Sequence, residues 1–169
     1  MSMHEAPTFR VSPQQEQAWL AQPDGPIGRT QGVVAVGGPL DAALLADALR
    51  AVVARHEILR TTFVRRPAMR VPLQMIHENL EPGWETLDLG GLDAAEQTTR
   101  LDAALAAEWS RPLDFERGPL LHALLVDLGG GGHRLALTLS SLCADTASVE
   151  VLLADLVEAY RGEAPAGEP

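Results

Sequence analysis

Apolar residues along the chain fall into short alternating runs interleaved with stripes at helical spacing, the pattern of strands mixed with amphipathic helices. Gly32 to Val36 is a β-rich run closed by Gly37-Gly38-Pro39. Asp41 then opens a helix as its N-cap, because a short carboxylate can take up the first free amides. Leu45, Leu49, Val52, His56 and Leu59 follow on one stripe. Segments 61–65 and 71–76 read as strands. In the second, Val71, Leu73 and Met75 alternate with Pro72, Gln74 and Ile76, and Trp84 to Leu89 extends the set. Asp93, with Glu96 three residues on, opens another helix whose one side carries Leu101, Leu105 and Trp109, and Pro112 marks its stop.

Two apolar runs, Leu120 to Leu128 and His133 to Leu139, are joined by glycines 129–132 and form an antiparallel hairpin. Val149, Leu152, Leu153, Leu156, Val157 and Tyr160 then mark the buried face of a last helix. The expected fold class is α/β (α+β), a mixed β-sheet with helices packed on it. Residues 1–8 read as a flexible leader, 9–160 as the single structured domain, and 161–169 as a polar linker or tail in which Gly and Pro oppose regular structure.

Composition narrows the function classes. At 46% apolar residues and a mean hydropathy of +0.02, the 169 residues have an ordinary globular profile. No run approaches the ~20 apolar residues of a membrane span, so the expected location is cytoplasmic with no membrane contact. A single cysteine, Cys143, excludes an internal disulfide framework. Net charge is −10, from 23 acids against 13 bases, all arginine, and such a chain repels nucleic acid phosphates. The one local basic cluster, Arg65, Arg66 and Arg70, reads as a solvated hairpin edge or a docking spot for one acidic partner. Glycines 129–132 lead into a strand and no lysine is present, so they are turn material and not a phosphate cradle. Five scattered histidines and one cysteine show no metal-ligand spacing, and no cofactor of its own is expected.

Three segments, in order, resemble the N-terminal lobe of the condensation domain of nonribosomal peptide synthetases, a chloramphenicol-acetyltransferase-like fold. Phe9-Arg10-Val11-Ser12-Pro13-Gln14-Gln15-Glu16-Gln17-Ala18-Trp19-Leu20 is similar to the family's opening motif, in which serine, glutamine and tryptophan precede the first helix. Arg55-His56-Glu57-Ile58-Leu59-Arg60-Thr61-Thr62-Phe63 matches the second motif, Arg-His-Glu-x-Leu-Arg-Thr-x-Phe, at every fixed position. Pro112 to Leu121 is similar to the lead-in to the active-site hairpin. The likeness spans nearly all of 9–160, about half of a condensation domain.

The third motif departs from the family. Its pattern is His-His-x-x-x-Asp-Gly, and the aligned residues are Ser140, Ser141, Leu142, Cys143, Ala144, Asp145 and Thr146. A divergent subset of condensation-like domains has a similar Leu-Cys-Ala-Asp stretch. In the family the second histidine lies in the channel between two lobes and helps the acceptor amine attack a carrier-bound thioester. A serine hydroxyl at 141 cannot exchange a proton near neutral pH as imidazole does. The resemblance gives Asp145 a structural role, bonded to Arg60. It implies a binding or assembly element, inactive alone, whose partner is a synthetase component, a carrier protein bearing phosphopantetheine, a complementary C-terminal lobe, or its own copy in a homodimer.

Two enzymatic alternatives stand beside it. One is half of a split condensation enzyme that forms an amide bond between carrier-tethered substrates. The other is a weak thioesterase built on Ser141 and His122. If Leu128 lies opposite His133, then His122 faces Leu139, and Ser141 falls on the same face two residues further on, within diagonal reach. The plainer reading of that pair is a polar strand end and a surface histidine. His56 reads as a hydrogen-bonded core histidine, His4 and His77 as surface residues, and Cys143 as a small buried apolar group. Trp109 is placed on a helix core face, Trp19 in the opening helix and Trp84 at a strand end.

Overall fold

The computed structural model describes residues 7–21 and 28–162, so the expectations for residues 1–6, including His4, and for 163–169 lie outside the described residues. In chain order the elements are β1 (Thr8–Arg10), α1 (Pro13–Leu20), β2 (Arg29–Gly37), α2 (Ala42–Arg55), a 3₁₀ turn (Glu57–Arg60), β3 (Thr61–Val64), β4 (Leu73–Ile76), β5 (Gly83–Asp88), α3 (Ala94–Ser110), β6 (Leu121–Asp127), β7 (Gly132–Ser140) and α4 (Thr146–Arg161). Thr8, assigned above to the leader, is paired with Met75, and Arg161 closes α4 before Gly162 ends it in the left-handed region at φ 70°.

The strands make two sheets where one was expected. A four-stranded sheet runs in the order β2-β7-β6-β5, and a three-stranded one in the order β1-β4-β3. β5 pairs in parallel with β6, which places α3 in the crossover between them, while every other pairing is antiparallel. The sequence therefore errs in joining Trp84 to the strands before it.

The large sheet is covered on both faces, which is why its central strands carry almost continuous apolar runs. Leu121, Ala123, Leu125, Leu135, Leu137 and Leu139 point towards α2 and α4, meeting Leu49, Val52, Leu152 and Leu156. Leu124, Val126 and Ala136 point the other way, towards Leu101 and Leu105 of α3. Each such leucine or valine side chain stabilises the fold by about 1.5–3 kcal/mol when fully enclosed. Trp109 does not join them; it is 46% exposed, and Glu108 one position earlier is buried in its place, paired with Arg111. The α2 stripe stops sooner than its spacing implies. His56 is the C-cap with an extended backbone, and Leu59 is buried from the 3₁₀ turn that follows.

Helix starts follow their caps. Asp41 accepts from the amides of Ala43 and Leu44, Asp93 from those of Ala95 and Glu96, and Ser12 forms a reciprocal capping box with Gln15. Gln15 and Trp19 therefore lie within α1, not ahead of it.

Candidate functional site

The hairpin register decides what the third motif can do. Leu128 N–H donates to the Gly132 carbonyl, so the connecting loop is Gly129-Gly130-Gly131, each with positive φ, and Gly132 already belongs to β7. Asp127 faces His133, His122 faces Thr138 and Leu121 faces Leu139. This is one residue away from the pairing of Leu128 with His133. A one-residue slip changes which face each side chain occupies. Ser140, not Ser141, thus shares the face of His122 and Thr138.

Ser140 is fully buried and spent on structure. Its amide donates to the Leu120 carbonyl, its hydroxyl accepts from the Leu142 amide, and its carbonyl accepts from the amides of Cys143 and Ala144. Ser141 follows the strand and is exposed; its amide donates to Gly28, and a methyl placed on Gly28 would stand 3.1 Å from its hydroxyl oxygen. The His122 ring lies elsewhere, over Gly83, where an added Cβ would come 2.2 Å from its Nδ1. Among the described residues no histidine is hydrogen-bonded to Ser141, so the Ser141–His122 dyad does not form.

His122 instead borders a polar group that the sequence did not announce. Arg111 bonds both Glu108 and Glu85, and Arg29 donates to the Arg111 carbonyl at 2.6 Å. Burial, and then the Arg111 charge, hold the His122 imidazole below its usual pKa, so it is neutral near neutral pH. The only signal in the sequence was the i, i+3 spacing of Glu108 and Arg111 beside the end of a helix.

Asp145 is not bonded to Arg60. It is the N-cap of α4, accepting from the Ser148 amide at 2.8 Å and from the Ser148 hydroxyl at 2.6 Å, and these bonds hold its carboxyl below the usual range. Arg60 donates to the His77 carbonyl and pairs with Glu57. A helix start with free amides adjacent in sequence claims the carboxylate locally, and the arginine finds its own local acceptors. His77, expected at the surface without partners, is half-buried and hydrogen-bonded to Thr62 at 2.7 Å.

What the motif retains is a framework. Leu142 is buried with Trp19 of α1, Phe63 of β3 and Leu120. Gln15 donates to the Leu142 carbonyl, Thr30 to the Ala144 carbonyl, and the Phe63 amide to the Phe115 carbonyl. The opening motif, the second motif, the lead-in and the loop thus converge around one leucine. Behind the loop lies an open, mostly apolar pocket of about 230 Å³, lined by His56, Ile58, Cys143, Ser148 and Val151 among others. Burial pushes the Cys143 thiol up to about 12, although the residue keeps partial exposure at this pocket. His56, half-buried, bonds Asp155 at 2.5 Å and ties α2 to α4. No cluster of His, Cys, Asp and Glu able to hold a metal occurs among the described residues.

The family model described as "Condensation domain" matches residues 7–169. Over 171 aligned positions the chain is 37% identical to chondramide synthase of Chondromyces crocatus, covering 97% of this chain and 4% of that protein. Tyrocidine synthase 2 of Brevibacillus parabrevis is 36% identical, over 79% of this chain and 3% of its own length. The chain therefore spans a small part of these curated relatives. Among solved structures, the EpoB NRPS cyclization-docking bidomain from Sorangium cellulosum is similar with a TM-score of 0.78 at 28% identity, over 98% of this chain and 33% of that one. The starter condensation domain of the rhizomide synthetase, at 22% identity and a TM-score of 0.81 over 96% of this chain and 40% of that one, shares the fold. A second motif intact at every fixed position, four segments meeting at Leu142 and a family model matched from Pro7 onward make one case: the chain belongs to the condensation-domain family.

Proposed function

We propose that this chain serves nonribosomal peptide biosynthesis as a condensation-like lobe that binds or assembles and does not itself catalyse. The observation that carries this reading is the exposed Ser141, bonded to no imidazole among the described residues, at the position where the family keeps its proton acceptor. Deprotonating an attacking amine near neutral pH needs a group that titrates there, and a serine hydroxyl does not. Ser140 is equally unsuited, since its oxygen is already bonded and sealed from solvent. The intact framework around Leu142 supports retained recognition, because a fold kept to this detail still presents a defined surface. The partner is a synthetase component, a carrier protein bearing phosphopantetheine, or a complementary lobe.

The test mixes the protein with an acyl-loaded carrier protein and an aminoacyl-loaded one, and follows amide formation alongside capture of each carrier on immobilised protein. Capture without product, unchanged in Ser141→Ala, is expected. Product that disappears with Ser141→Ala overturns the reading in favour of an active half of a split enzyme.

A further inference from the structure

The small sheet gathers cations at one end. Arg10, Leu73 and Val64 lie in one cross-strand row, and beyond that row the chain leaves β3 through Arg65 and Arg66 and enters β4 through Arg70. Four of the 13 arginines of a chain with net charge −10 thus converge, all exposed, at the tip of three strands. The tip is also shaped in advance. Arg65 stacks over the Trp19 ring at 5.0 Å, and its amide is held by Glu116. Between Arg66 and Arg70 the chain makes a tight turn, with the Met69 amide donating to the Arg66 carbonyl. Ala68 sits in that turn at φ 68°, a left-handed conformation that a non-glycine residue adopts only when its surroundings impose it. Apolar surface accompanies the charge, with Met69 46% exposed in the turn and Phe9 49% exposed on the β1 edge.

We propose that this tip docks an acidic segment of a protein partner, one that carries apolar side chains between its carboxylates. Arginine beside exposed apolar groups is the composition of a protein interface, and guanidinium forks match carboxylates in pairs. Four arginines on an acidic body give a short-range attraction for one such segment, whereas a nucleic acid duplex meets the repulsion of the whole chain as it approaches. A bilayer would require a broad basic and apolar helix face, which the tip does not offer.

Docking at this tip is independent of the role of Ser141, so either can fail alone. The probe is a fluorescein-labelled synthetic helical peptide of glutamate with leucine at i, i+3 and i+4, its anisotropy titrated with the full chain. Binding is expected to weaken as salt rises from about 50 to about 300 mM. It should also fall at least about tenfold in the double variant Arg66→Glu/Arg70→Glu, with unchanged circular dichroism. Arg100→Glu, on the exposed surface of α3, is expected to leave it unaltered. Binding that survives the double variant overturns the proposal. So does equal binding of a lysine-leucine peptide, a DNA duplex or anionic phosphatidylglycerol vesicles.

Discussion

At the scale of single residues, Cys143 shows how environment sets chemistry. A cysteine in a strand-to-helix loop invites a nucleophilic role, yet burial raises its pKa to about 12 and leaves almost no thiolate at pH 8. Alkylation of the native protein by iodoacetamide at pH 8 should run more than about a hundredfold slower than in urea, followed by mass spectrometry. Equal rates would show the thiolate to be accessible in the fold. The same shift acts on stability. Below an ordinary thiol pKa of 9.0 both states are protonated and the contribution is fully present. Between there and about 12 the unfolded chain ionises while the native one does not, so stability declines with rising pH. The sequence allowed the buried reading of Cys143 from its neighbours Leu142 and Ala144. The partners of Asp145 and Arg60 were not legible, because local acceptors displaced the long-range pair that the resemblance implied.

At the scale of elements, the hydrophobic period with its caps located the helices, although it carried the α2 stripe past Arg55 and put the exposed Trp109 on the core face of α3. α2 and α3 begin where Asp41 and Asp93 announce them, whereas Asp145, read as a partner of Arg60, is found capping α4. It failed where spacing alone could not count residues in a turn. Four consecutive glycines admit a loop of three or of four, and the choice of three moved Ser141 off the face of His122. Close approach between elements was also invisible in the sequence. α4 lies so near β2 that a Cβ on Gly32 would stand 2.5 Å from Cγ1 of Val149. Gly32→Ala should therefore destabilise the fold by about 1–3 kcal/mol in urea unfolding, and adding Val149→Ala should recover part of that loss. Two penalties that simply add would show that the contact is not the cause.

At the scale of the whole molecule, charge and topology govern. A net charge of −10 on a chain of this size stores repulsion that dissolved ions relieve. Raising sodium chloride from about 20 to about 200 mM should lift the melting temperature by about 2–4 °C, read by circular dichroism. A fall would mean that ion pairs such as those of Arg111 outweigh the repulsion. The class of fold was legible because strands and helices alternate in a way few architectures accept. The split into two sheets was not, since nothing local in Trp84 to Leu89 says which strand it will lie beside.

The pairing of β2 with β7 also bears on how the protein is made. Val33 meets Ala136 and Arg29 meets Ser140, roughly 100 residues later in the chain. A ribosome adding roughly 5–20 residues per second leaves β2 without its neighbour for about 5–20 s, its backbone edge open to any passing strand. Nascent copies crowded on one messenger would meet during that interval. Slower translation lengthens that interval, and a chaperone that covers the waiting edge offsets it.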